Sequence, residues 1–143
     1  MGWFSRKSRS RLPADMTRRL ELLGRFEYDV QGSGVDAGEI YPNCIEPFVG
    51  YMSEDGDGFI AELRNFAADD EGGFATYGAS CLVVELAGMN VRTPDALALL
   101  DAAIEFKRVR RLPSGMLKGY EWERWLEANG PDSWPDGPAQ PPL

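Results

Sequence analysis

The chain has no histidine, so the commonest general base near neutral pH is missing. With it go every Ser-His-Asp or Cys-His arrangement and every zinc or iron site that depends on imidazole. Cysteine is almost as scarce: Cys44 and Cys81 are the two present. They are too few and too far apart for a zinc pattern, and in a reducing compartment they read as small buried hydrophobes. No apolar run approaches the roughly 18 residues of a membrane-spanning helix. Residues 1–12 hold bases and two aromatics but no apolar stretch of about 7–15 residues, so a secretory leader is not expected and the expected location is the cytoplasm. No phosphate-binding loop, dinucleotide fingerprint or nucleophile elbow is present, since Gly78-Ala79-Ser80-Cys81-Leu82 has the serine but not the closing glycine. We expect no cofactor and no metal. Lysine is also rare, with three against twelve arginines, a bias associated with GC-rich bacterial genomes.

What remains is an acidic chain of 143 residues with a formal charge of −8, a length suited to one domain. The charge comes in blocks. Met1 to Arg19 carries six bases (Arg6, Lys7, Arg9, Arg11, Arg18, Arg19) against Asp15, whereas Glu27 to Glu105 carries sixteen acids against Arg64 and Arg92. An acidic body of this kind repels nucleic-acid phosphates and attracts basic partners, with a reach of about 10 Å at ordinary salt.

The hydrophobic pattern predicts a mainly α fold: one domain of about five helices around a buried central helix. That centre is Gly72 to Leu86, where Tyr77, Cys81 and Val84 make one apolar stripe and Ala75, Ala79, Leu82 and Leu86 another, with Gly73, Gly78 and Ser80 allowing neighbours to approach closely. Asp15 to Leu23 reads as a helix with Asp15 at the N-cap and Gly24 as its stop. Arg25 to Gln31 alternates polar and apolar; it is read as a helix extension or an extended connection, with a short strand near residues 25–31, and hence an α+β fold, as the alternative. Gly32 to Pro47 is a loop with a helical turn near Asp36 to Tyr41, followed by an apolar patch of Phe48, Val49, Tyr51 and Met52. Gly58 to Ala68 follows as a helix. Thr93-Pro94-Asp95 gives a clear start for another, running to about Arg108, whose basic end (Lys107, Arg108, Arg110, Arg111) complements the helix dipole. Met116 to Ala128, with Trp122 and Trp125 on one stripe, is the last. Residues 1–13 are expected to be a flexible basic arm, 14–130 the helical domain, and 131–143, with five prolines, a disordered tail.

Tyr120 to Gly130 resembles, over eleven residues, the Tyr, Phe-Leu, Asn-Gly signature of a family of immunity proteins. In that family the signature comes early and strands follow it; here a proline-rich tail follows, and no residue role is carried over.

Three functions fit these residues, in order. The first is a protein-binding module, immunity- or antitoxin-like and not an enzyme, that meets a basic protein partner through the acidic loops of Glu54, Asp55 and Asp57 and of Asp69, Asp70 and Glu71. Nucleic acid is not an expected partner. The second is a peripheral membrane adaptor using Trp3, Phe4, Arg6, Lys7, Arg9 and Arg11 on anionic lipid. The third is a carboxylate enzyme around Glu85, the one acid whose neighbours predict burial, with a raised pKa or with Arg92 or Arg108 as counter-ion. Ser53 to Gly58 also has the start of a calcium loop, but Arg64 stands where the closing Glu belongs.

Overall fold

A computed structural model describes residues 12–70, 73–87, 93–112, 127, 129 and 130. It is mainly helical, with no strand among the described residues. The elements in order are α1 (Met16–Tyr28), α2 (Ala37–Ile40), a π-helical turn (Tyr41–Ile45), a 3-10 turn (Glu46–Phe48), α3 (Val49–Ala67), a 3-10 turn (Ala68–Asp70), α4 (Phe74–Ala87) and α5 (Pro94–Arg110). The chain divides into two units, Met1–Ala103 and Ile104–Leu143, with the boundary inside α5. Of the expected last helix, Met116 to Ala128, only Glu127 is described, and it is helical.

The core of the first unit is built from Met16, Leu20 and Leu23 of α1, Phe48, Phe59, Ile60 and Leu63 from the 3-10 turn and α3, and Leu82, Val83 and Leu100 from α4 and α5. Each such side chain, fully buried, contributes about 1.5–3 kcal/mol. Leu12, which its neighbours in sequence assign to the basic arm, is buried as well.

The central place of α4 follows from its sequence. Every residue from Ala75 to Val83 is buried, and a helix apolar on all sides must find neighbours on all sides. Its partner α1 lies so close that a Cβ on Gly78 would collide with the Leu20 carbonyl oxygen, and one on Gly24 with the Phe74 carbonyl oxygen. The reversed order of these pairs means that the two helices run in opposite directions. Tyr28 extends the contact, its ring edge-on to Phe74 at 5.4 Å, and the Arg25 guanidinium lies 4.4 Å from the centre of the Phe74 ring.

These contacts correct the reading of residues 24–31. Gly24 does not stop α1 but lets it touch α4, and the helix continues to Tyr28. The strand alternative is thereby overturned, because Arg25 to Tyr28 are helical. Asp15 holds the N-cap position, but its carboxylate makes no capping bond; it takes the Arg19 guanidinium at 2.9 Å instead.

Hydroxyls fasten the other helices to this pair. Ser80, fully buried, has its hydroxyl oxygen 2.5 Å from the Leu99 carbonyl oxygen of α5 and 3.1 Å from Thr76 O, the two sharing its one proton. Thr17 Oγ1 donates to Phe66 O at 2.9 Å, joining α1 to the end of α3. The start of α5 is as expected: Thr93 Oγ1 accepts from the Ala96 amide at 3.4 Å. Its buried stripe is Ala96, Leu99, Leu100, Ala103 and Phe106.

Candidate partner-binding surface

From Asp29 to Leu63 the chain holds eight acids and no Lys or Arg over thirty-five residues. Asp29, Asp36, Glu39, Glu46, Glu54, Asp55 and Asp57 are exposed, and Glu62 is half-buried. This stretch begins at the end of α1 and runs through α2 and both turns into α3.

Several of these carboxylates also organise the backbone. Asp55 has extended dihedrals (φ −154°, ψ 81°) inside α3, so that helix is two helical pieces meeting at a kink. The Asp55 carboxylate accepts from the Gly58 amide at 3.1 Å, capping the second piece. The expected turn at residues 54–57 is thus a break within helical structure, and the expected helix start at Gly58 falls inside its first turn. Asp29 accepts from Gly32 N at 2.8 Å, and Asp36 from Gly38 N at 2.9 Å. Asp70, half-buried, accepts from Ala75 N at 2.6 Å, while its own carbonyl takes the Thr76 hydroxyl at 2.8 Å. At three of these sites the sequence is Asp-x-x-Gly, Asp29 closing a turn after α1 and Asp55 and Asp70 capping helices. A Cβ on Gly32, Gly58 or Gly73 would fall on the carboxylate of Asp29, Asp55 or Asp70 respectively.

Of the six acids singled out from sequence, Glu54 and Asp57 are exposed on α3, while Asp55 and Asp70 are exposed and half-buried caps. Asp69 falls in the 3-10 turn, and Glu71 lies outside the described residues. The arm residues Trp3, Phe4, Arg6, Lys7, Arg9 and Arg11 also lie outside them. The calcium-loop likeness of residues 53–58 does not become an open loop: helical structure lies on both sides of the kinked residue Asp55. Among the described residues no group of three or more Asp, Glu or Cys is placed to hold a metal ion.

Glu85 is exposed, not buried. The apolar pattern of α4 misleads there because burial ends with Val83, one turn before the helix does. Arg108, one of the two counter-ions considered for it, pairs with Glu105 at 2.5 Å. Cys44 and Cys81 are buried and form no disulfide, as small hydrophobes should. Burial pushes the Cys44 thiol above its usual range, and burial, together with the Cys81 side chain, does the same for the Tyr77 phenol.

Two further features were missed in the sequence. One is a cleft of about 260 Å³ lined by Arg64, Ala67, Ala68, Thr76, Ala98, Leu99 and Ala102. Its one cation is engaged, Arg64 meeting Asp95 at 2.7 Å. The other is the corner formed by the π-helical and 3-10 turns. There Cys44, Ile45 and Phe48 are buried, while Tyr41 is 54% exposed and Val49 44%. Pro42 and Pro47 are exposed beside them. Pro42 and Pro47 are the available signal in the sequence, where they mark only a break in regular structure.

Comparison of the chain with protein-family models, with curated proteins and with solved structures gives no match.

Proposed function

We propose that this protein is a binding module that engages a basic protein partner through the acidic face of residues 29–63, in the manner of an immunity protein or antitoxin meeting a cationic toxin. One observation carries the reading: seven exposed carboxylates in thirty-five residues with no base among them. Ordinary solvated surfaces intersperse both signs. A one-sign field extends about a Debye length, roughly 10 Å, and raises encounter rates with an opposite charge by about 10–1000-fold at low salt.

The capping carboxylates remain part of that field, because a cap occupies one lone pair and leaves the charge in place. A test must therefore remove charge without removing caps. Glu39→Gln, Glu46→Gln and Asp57→Asn together do so, since the capping bonds described are made by other side chains. The partner is first captured from host lysate at low salt and released at high salt. Its association with the threefold variant is then timed at both. The expected result is an association rate at least about tenfold lower at low salt and a flattened salt dependence. An unchanged rate would remove the proposal.

A further inference from the structure

We infer that the cleft between the end of α3, α4 and α5 is a binding site for a free apolar α-amino acid of leucine or phenylalanine size, whose side chain lies against the alanines while its charged ends meet Arg64 and Asp95. None of the described lining residues belongs to the acidic stretch of residues 29–63.

The space exists because the side chains around it are short. Ala67 ends α3 and Ala68 begins the 3-10 turn, Ala98 and Ala102 stand one turn apart on α5, and Leu99 and Thr76 complete the wall. Protein interiors ordinarily leave few voids larger than a water molecule. Here about 260 Å³ stays open, whereas an apolar cavity of about 150 Å³ already takes up benzene. Thr76 makes no call on a ligand, since its hydroxyl donates to Asp70 O at 2.8 Å. Apart from Arg64 the described wall is uncharged, so it suits an aliphatic or aromatic side chain and offers an ionised one no counter-charge.

The polar end is set by one ion pair. Between Arg25 and Arg92 the chain holds a single base, Arg64, and that base lines this cleft. Its Nη1 donates to Asp95 Oδ1 at 2.7 Å, and among the described residues neither side chain has another partner. The Nε–Nη2 edge of the guanidinium, which can take a carboxylate through two parallel bonds, is therefore left over, as is the second oxygen of Asp95. Thr93, whose hydroxyl accepts from the Ala96 amide, and Pro94 fix the first turn of α5, which carries Asp95.

This paired rim selects among small ligands. A simple carboxylate gains Arg64 but meets Asp95 beside it, and a simple amine gains Asp95 but meets Arg64. An α-amino acid carries both charges on neighbouring atoms, so each finds its opposite. Its side chain leaves the same carbon for the alanine wall.

The test is a two-dimensional NMR titration of the isotope-labelled full chain with L-leucine and three analogues: isocaproate, which lacks only the ammonium, isoamylamine, which lacks only the carboxylate, and glycine, which lacks the side chain. Leucine should shift the amides of Ala98, Leu99 and Ala102 and bind at least about tenfold tighter than each analogue. Arg64→Gln should erase the lead over isoamylamine, and Asp95→Asn the lead over isocaproate, changes that loss of a merely structural ion pair would not produce. Ala98→Leu, which fills the cleft, should abolish binding with the circular dichroism unchanged. Absence of shifts with leucine and with phenylalanine up to about 10 mM would overturn the site. So would leucine binding that is unaltered in Arg64→Gln, whose exposed side chain can change without disturbing the core. Equal binding of leucine and isocaproate would overturn the amino-acid assignment.

Discussion

The crossing of α1 and α4 makes one substitution change sign between two glycines. Gly50 and Gly78 both lie in helices, and Ala is the better helix former by about 0.5–1 kcal/mol. A Cβ on Gly50 meets nothing within 4 Å, so Gly50→Ala should stabilise by about 0.5 kcal/mol. On Gly78 the new atom meets the Leu20 carbonyl and the Gly24 amide. Those are backbone atoms with no rotamer to turn away, so the helices must move apart and loosen Leu20 and Leu23 against α4. Overpacking of this kind costs about 1–3 kcal/mol or more. We take the upper end because the obstacle is backbone, and subtracting the propensity gain leaves a net loss of about 2 kcal/mol. At roughly 3–4 °C per kcal/mol for a chain of this size, far-UV circular dichroism should record a melting point about 6–8 °C lower for Gly78→Ala and about 2 °C higher for Gly50→Ala. Gly24→Ala acts on the same crossing, so combining it with Gly78→Ala should cost less than the sum of the two. A Gly78→Ala protein as stable as the parent would refute the described approach of the helices.

Three other expectations follow from single side chains. Asp70→Ala should lower stability by about 1 kcal/mol in urea denaturation through loss of the Ala75 cap, whereas Asp70→Asn, which keeps an acceptor oxygen, should lose much less. The Arg19 guanidinium holds Asp15 below the usual carboxylate range, and Arg108 does the same for Glu105. With folded values below unfolded ones, both pairs stabilise fully above about pH 5 and are lost as pH falls through the folded values, below about pH 4. Asp15→Asn/Glu105→Gln should therefore flatten the urea midpoint between pH 2 and pH 4, and an unaltered acid slope would contradict the assignment. Both thiols should resist a disulfide reagent at pH 8 in the folded protein and react in urea, because Cys44 and Cys81 are buried.

The helical class and the central helix were legible because burial on all sides leaves a mark no surface helix has, an apolar run with small residues spaced through it. The Thr93 start was legible for a local reason: its capping hydroxyl and the proline after it are read within one turn. What escaped depends on residues distant in sequence. Gly24 resembles a C-cap until Phe74 and Gly78 are brought against it, and the alternation of Arg25 to Gln31 resembles a strand until Tyr28 packs on Phe74. Glu85 inherited an expectation of burial from Val83 and Val84, although exposure begins within that last turn. The acidic stretch of residues 29–63 is visible in the sequence as a count of charges, although the sequence singles out residues 54–57 and 69–71 as the candidate site. Which of its carboxylates also cap helices is not visible there, since Asp55 and Asp57 look alike in sequence and differ only in the dihedrals they adopt. The π-helical turn left no periodic trace, because its geometry is set partly by Arg19, more than twenty residues away.

The three Asp-x-x-Gly pairs, one closing a turn and two capping helices, carry a consequence for sequence divergence. At Gly32, Gly58 and Gly73 a side chain would meet the carboxylate three residues earlier, with no left-handed backbone demanding glycine. A larger residue there turns the carboxylate away from its hydrogen bond, and once the Asp is replaced the glycine loses that reason to stay. In diverging relatives the two positions of each pair should therefore change together, site by site, independently of the other two.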